Sequence, residues 1–268
     1  MNNFKKAVLF FCLFLFINIA HAETESSPEK IIRIMTVVIC QQENFLQYVL
    51  EPYLAGKNIK IEYRQGHNSE VAQAVKTKDA DFVIAHTKVK KLQSMEQKGL
   101  LNKGQQLFAN PMAFLGPEGE PVKIGGMKDP VKAIKKIFES GYCFIINGHT
   151  RLAKLQKKFI KRAKIKGACV LQSDKQNEAI LSEVVEKNAY TLWGLHPYVK
   201  KGNDKLLPIV IPDKELLSNM TGWTVKGSKS ETETEKLLNY LSSEQAKKRI
   251  TEFRLKKYKN IQAWWLIE

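Results

Sequence analysis

Between Gly66 and His86 the chain runs GHNSEVAQAVKTKDADFVIAH, and this stretch narrows the choice of fold more than any other. Asn68 and Ser69 are helix-capping residues, and Val71, Ala74 and Val75 recur behind them at helical spacing. Asp79-Ala80-Asp81 ends that helix, and Phe82-Val83-Ile84-Ala85 is a short apolar run typical of strands covered on both faces. A strand end, a tight loop, a helix and a buried strand in succession describe a crossover onto a parallel sheet. The helix head turns free backbone N–H groups and the positive end of the helix dipole outward, which favours an anion. His86 arrives at the same edge. Each residue also has a plainer reading: Ser69 as a cap and nothing more, His86 as a hydrogen-bonded strand end.

The flanking segments extend the pattern. Ile31–Ile39 reads as a buried strand, Cys40–Asn44 as a turn, and Phe45, Val49, Leu50, Tyr53 and Leu54 as one face of a helix ending near Gly56. Ile59–Tyr63 is the next strand, and Lys88 to Lys98 a basic helix after His86. The spacing then predicts a strand over Gln106–Leu115, a helix opened by Asp129-Pro130, a strand Cys143–Ile146 and a loop Asn147–Thr150. It continues with helix Arg151–Lys164, strand Cys169–Gln172, helix Gln176–Lys187 and a strand-like Ala189–Trp193. Leu206–Ile211 and Asn219–Val225 read as a return to the first half, closed by helices Glu231–Leu241 and Ser243–Phe253. The Trp264-Trp265 pair is expected to pack on that half, or else to form an exposed contact surface.

Residues 1–22 read as an export signal: Lys5 and Lys6, an apolar run from Ala7 to Ile19, and Ala20-His21-Ala22 as the cleavage motif. Cys12 lies inside that run without the context of a lipoprotein site. The full chain carries 43 basic and 27 acidic residues, a formal charge of +16. Without Lys5 and Lys6 this becomes 41 against 27, or +14. An exported protein so basic points to an anionic ligand, an acidic partner or an anionic surface, and its compartment disfavours nucleic acid. The densest basic run is Lys154, Lys157, Lys158, Lys161, Arg162, Lys164 and Lys166, also readable as an ordinary solvated helix face. Cys143 and Cys169 lie in short apolar runs that would become neighbouring strands, giving either a disulfide or two buried thiols, with Cys40 left over.

Asp79-Ala80-Asp81 followed by His86, His67-Asn68-Ser69 in the loop before the helix, and Leu115-Gly116-Pro117 recur in a known order. So do Lys136-Ile137 through Phe144 to Gly148, Glu186 to Leu192, and Ser243-Glu244-Gln245 with Phe253. In that order and spacing the chain resembles the tungstate/molybdate-binding periplasmic proteins of the type II solute-binding superfamily, as a divergent member. The resemblance implies an α/β fold of two lobes with mostly parallel sheets flanked by helices: residues 23–117 and 206–268 as one lobe, 118–205 as the other. It further implies a periplasmic or secreted monomer that closes over a small inorganic oxyanion and delivers it to an ABC-type permease.

The ligand contacts implied are Gln41, Asn68, Ser69, His86, Asn147, His149, Thr150 and Arg151, all in loops expected beyond the carboxyl ends of the strands. The family's run of threonines and a serine after the first strand is replaced by Thr36 and then Val37-Val38-Ile39-Cys40, and its arginine by Asn147. Three other readings stand beside this one. An interaction protein with the same fold would use its basic surface on an acidic partner. A transition-metal receptor would use His67, His86, His149 and His196, which fall at strand ends on one side. Cys40 with a histidine elsewhere is a weak pattern for a thiol enzyme, against which a buried inert thiol stands. There is no nucleophile elbow, H-E-x-x-H, P-loop or dinucleotide glycine pattern, so neither an enzyme nor a cofactor is expected.

Overall fold

The computed structural model describes residues 29–257 and 261–267. The export signal and its cleavage site lie outside the described residues. No helix among the described residues is long and apolar enough to cross a membrane.

The chain opens with β1 (Lys30–Val37), α1 (Phe45–Leu54), β2 (Ile59–Gly66), α2 (Asn68–Thr77), β3 (Phe82–His86) and α3 (Lys90–Gln97). Both β2 and β3 pair with β1 in parallel, as the crossover pattern requires. Next come β4 (Gln105–Pro117), α4 (Pro130–Glu139), β5 (Phe144–Ile146), α5 (Thr150–Ala163), β6 (Val170–Gln172), α6 (Ala179–Glu186), β7 (Thr191–Gly194) and α7 (Leu195–Lys201). The chain closes with β8 (Leu206–Val210), β9 (Leu217–Thr224), α8 (Glu231–Leu241), α9 (Glu244–Glu252), β10 (Arg254–Leu255) and β11 (Ile261–Gln262). The main sheet runs β2-β1-β3-β9-β4-β7, with β8 also on β4, and β5 pairs β6 in parallel beside it.

β4 carries the architecture across the molecule. Its first part, Gln105–Pro111, pairs antiparallel with β9, and its last part, Ala113–Pro117, pairs with β8 and, through Met112–Leu115, with β7. Alternation along this strand puts Ala113 and Leu115 into one buried cluster, continuous with the β1–β3 core, and Phe114 into another with Phe144, Phe159, Tyr190 and Leu192. β8 pairs with the far end of β4 and divides its residues between the two clusters, Leu206 in the first and Ile209 in the second, and β9 follows it back into the main sheet beside β3.

Several residues singled out in the sequence fasten this frame. Asp81 is buried, and its carboxylate accepts from the Arg33 N–H at 2.9 Å, Nε at 3.0 Å and Nη2 at 2.8 Å. Its own N–H donates to Arg33 O at 2.9 Å, clamping β3 to β1. Cys143 and Cys169 form a disulfide with Cα atoms 4.6 Å apart, because the Phe144↔Val170 register sets the preceding residues opposite each other. The reading of these two as buried thiols is thereby excluded, and Cys169 is in fact exposed. Trp264 is buried, stacked on Phe45 at 4.8 Å and edge-on to Phe108 at 4.7 Å, so the terminal pair is core and not a contact surface.

Candidate functional site

The site begins where β1 ends. The chain leaves Val37 not in a simple turn but in a 3-10 segment, Val38–Asn44, two residues earlier than the apolar run suggested. Its backbone passes through two left-handed residues, Glu43 (φ 50) and Asn44 (φ 59). Such conformations cost about 1–3 kcal/mol each outside glycine and persist only where the surroundings hold them. Two anchors do so: Gln42 Oε1 meets His196 Nδ1 at 2.9 Å, and Glu43 Oε2 accepts from the Lys256 N–H at 3.0 Å.

The second wall is the head of α2. The residue capping this helix is His67, one before the expected Asn68, and the Glu70 carboxylate accepts from the His67 N–H at 2.7 Å. Gly66 makes room for this, since a Cβ there would stand 2.7 Å from Glu70 Oε2 and 2.9 Å from Met35 Cε. The third wall is the end of β3, where half-buried His86 places Nδ1 3.1 Å from Ser218 Oγ of β9. The fourth is α7, which begins at Leu195 directly after β7.

These walls enclose a cavity of about 680 Å³. Val38, Ile39 and Gln41 line it from the 3-10 segment, Gln65 from the end of β2, His67 and Asn68 from the α2 head, and His86 from β3. His196, Pro197 and Lys200 complete it from α7. Sequence reasoning missed Lys200 and Pro197. The signal was there: Leu195, Tyr198 and Val199 are buried at helical spacing and carry Lys200 to the rim.

Of the expected contacts, Gln41, Asn68 and His86 line the cavity. Ser69 is exposed on the first turn of α2, and Asn147, His149, Thr150 and Arg151 lie around the head of α5, outside the lining. Arg151 is nevertheless near enough to act on His86, whose imidazolium is disfavoured first by burial and then by that positive charge. The α5 head is held by a buried polar network. Gln156 Oε1 accepts from the Asn147 N–H at 2.8 Å, and its Nε2 donates to Thr191 Oγ1 at 3.2 Å. Asn147 Oδ1 accepts from the His149 N–H at 2.8 Å. Gly148 is required by close approach, because a Cβ there would stand 2.3 Å from Asp174 O. Asn147 is buried and organises its own loop through Oδ1, while its Nδ2 has no hydrogen-bond partner among the described residues.

The four histidines do not assemble. His67, His86 and His196 share the cavity wall, while His149 is at the α5 head. His196 is buried with both ring nitrogens engaged: Nε2–H donates to Ala263 O at 3.1 Å, Nδ1 of the neutral ring faces the Gln42 side-chain amide and accepts when that amide turns its NH2 toward it, and the ring lies 4.2 Å from that of Trp264. Burial pushes its pKa down to about 4. It is a structural histidine and has no nitrogen free for a metal. No grouping of three or more His, Cys, Asp or Glu that could hold a metal ion occurs among the described residues. Cys40 is fully buried, which pushes its thiol pKa up and away from the reactive thiolate.

This geometry has counterparts in solved structures. The tungstate-binding protein TupA from Desulfovibrio alaskensis G20 is 19% identical with a TM-score of 0.66, the match covering 88% of this chain and 98% of that one. A structure described as the tungstate ABC transporter from Geobacter sulfurreducens is 20% identical with a TM-score of 0.57, covering 84% and 100%. At such identity the likeness is one of fold, here a type II periplasmic-binding-protein-like fold. No curated protein matches the sequence. The bacterial extracellular solute-binding protein family matches residues 42–253, from the strained segment at the cavity to the end of α9. With most of its length matched, the chain belongs to the bacterial extracellular solute-binding protein family, whose members bind solutes and are not enzymes.

Proposed function

We propose that the protein is an exported, monomeric receptor that closes over a small oxyanion and presents it to an ABC-type permease. The observation that carries this reading is the single cavity shared by the α2 head, neutral His86 and Lys200, with the Arg151 charge within reach of His86. Free N–H groups at a helix head, a neutral imidazole able to donate, and a lysine at the rim are the donor set an anion needs. Tungstate, which the Desulfovibrio alaskensis protein is described as binding, and molybdate are the first candidates. Two lobes would close by bending where β4 crosses, near Pro111, and along the segment joining β8 to β9.

A thermal-shift series with tungstate, molybdate, phosphate, sulfate, zinc and copper tests this reading, since a ligand at 100 times its dissociation constant stabilises by about 2.7 kcal/mol. A rise with one or more anions and none with the metals is expected. Response to zinc or copper alone would move the reading to a metal receptor.

One observation favours a second role. From Ser140 to Ser173 the sequence has no acidic residue. On α5 and the turn after it, Lys154, Lys157, Lys161, Lys164 and Lys166 are all exposed, and none is in a salt bridge among the described residues. Only Lys158 and Arg162 pair, both with Glu215. This face suits adsorption to an anionic surface such as acidic phospholipid.

A further inference from the structure

We infer that the anion this cavity takes is organic: an oxyanion head, such as a carboxylate or sulfonate, carrying a short aliphatic body. The inference rests on the reading of the cavity as an anion site and names the class of its occupant.

Three observations combine. The first is the chemistry of the wall. Where β1 gives way to the 3-10 segment, the chain presents partly exposed Val38 and Ile39, and α7 adds Pro197. None of these side chains donates a hydrogen bond. A bare tetrahedral oxyanion stripped of water needs donors on every side, because each oxygen left against hydrocarbon forfeits its hydration, at about 1–3 kcal/mol or more for a charged group. The second observation is the position of the cation. Lys200 lies one turn beyond Pro197 on α7 and is, among the described residues, the cavity's one lysine or arginine, so positive charge is offered at one point of the rim and not around the whole cavity. An amphipathic anion satisfies both surfaces together. The third is size: about 680 Å³ falls within the range of roughly 300–1,000 Å³ found for pockets that enclose organic ligands.

The test is titration calorimetry on the protein with tungstate, sulfate and the straight-chain alkanesulfonates from methane- to hexanesulfonate. Affinity is expected to rise roughly fourfold per methylene over the first members, the increment for burying a CH₂ group. It should level off once the aliphatic wall is covered. Val38→Ser should weaken binding by a factor that grows with chain length, and Lys200→Gln should weaken all members alike. Equal affinity along the series, or tungstate binding more tightly than every alkanesulfonate, overturns the inference and leaves the anion receptor standing. Absence of binding by every anion, inorganic and organic, removes the anion site itself and the inference with it.

Discussion

Acidification should unlatch the cavity wall through His196. Its ring is buried against Trp264 and holds Gln42 on one side and Ala263 on the other, and burial lowers its pKa from 6.5 to about 4. The folded protein therefore keeps the neutral ring while the unfolded chain takes up a proton near pH 6.5. The stabilisation is complete above about pH 6.5 and is lost as pH falls toward 4. At 1.36 kcal/mol per unit this amounts to about 3 kcal/mol. His86 adds in the same direction. Glu215, Glu231 and Glu233, lowered by their hydrogen-bonded partners, contribute only below the ordinary carboxylate value of 4.5. The window between 6.5 and 4.5 thus belongs to the histidines. Urea unfolding followed by tryptophan fluorescence at pH 7, 6, 5 and 4.5, at constant ionic strength, measures it. His196→Gln should cost about 1–3 kcal/mol at pH 7, from imperfect pairing of buried acceptors, and should flatten the pH dependence. If the variant loses stability on acidification as steeply as the parent, the argument from burial is wrong.

Four further outcomes follow from named contacts. Asp81→Ala leaves Arg33 without its buried partner and should cost about 3–5 kcal/mol in urea unfolding; a loss under 1 kcal/mol would show the clamp to be dispensable. Replacing both Cys143 and Cys169 by Ser frees a loop spanning 26 residues of sequence and should cost about 3.5 kcal/mol, read as a lower melting temperature, with an unchanged melting temperature arguing against it. Lys200→Gln should weaken tungstate or alkanesulfonate binding by about tenfold, the worth of a charge-assisted hydrogen bond, without shifting the melting temperature of the free protein. Lys154, Lys157 and Lys161 changed together to Gln should abolish salt-sensitive binding to phosphatidylglycerol vesicles; retention of that binding would dismiss the α5 face as a docking surface.

Much of the frame was legible from local pattern. The β1 to α3 alternation needed only the two periodicities of strand and helix. Asp129-Pro130 marked the start of α4 through chemistry contained in neighbouring residues, the Asp129 carboxylate accepting from the Val131 N–H at 2.8 Å. Gln41, Asn68 and His86 fall together on the wall of one cavity because strand ends and helix heads in a parallel sheet lie on one side by geometry alone.

What the sequence could not decide depends on contacts between distant segments. Asp81 belongs to the motif that suggested the fold, yet only its pairing with Arg33, far back in the chain, makes it a clamp. His196 read as a strand-end candidate for a metal until the packing of Trp264 and the contacts to Gln42 and Ala263 used up both nitrogens. β8 chose the far end of β4 because its apolar residues find Phe114 and Tyr190 there, a choice invisible to a strand considered alone. Lys200 reached the cavity on a helix whose apolar face is meaningful only once there is a core to bury it. Backbone periodicity and capping are decided within a few residues of sequence. The role of a buried polar side chain is decided by which partner can satisfy it, and that partner is supplied by the tertiary structure.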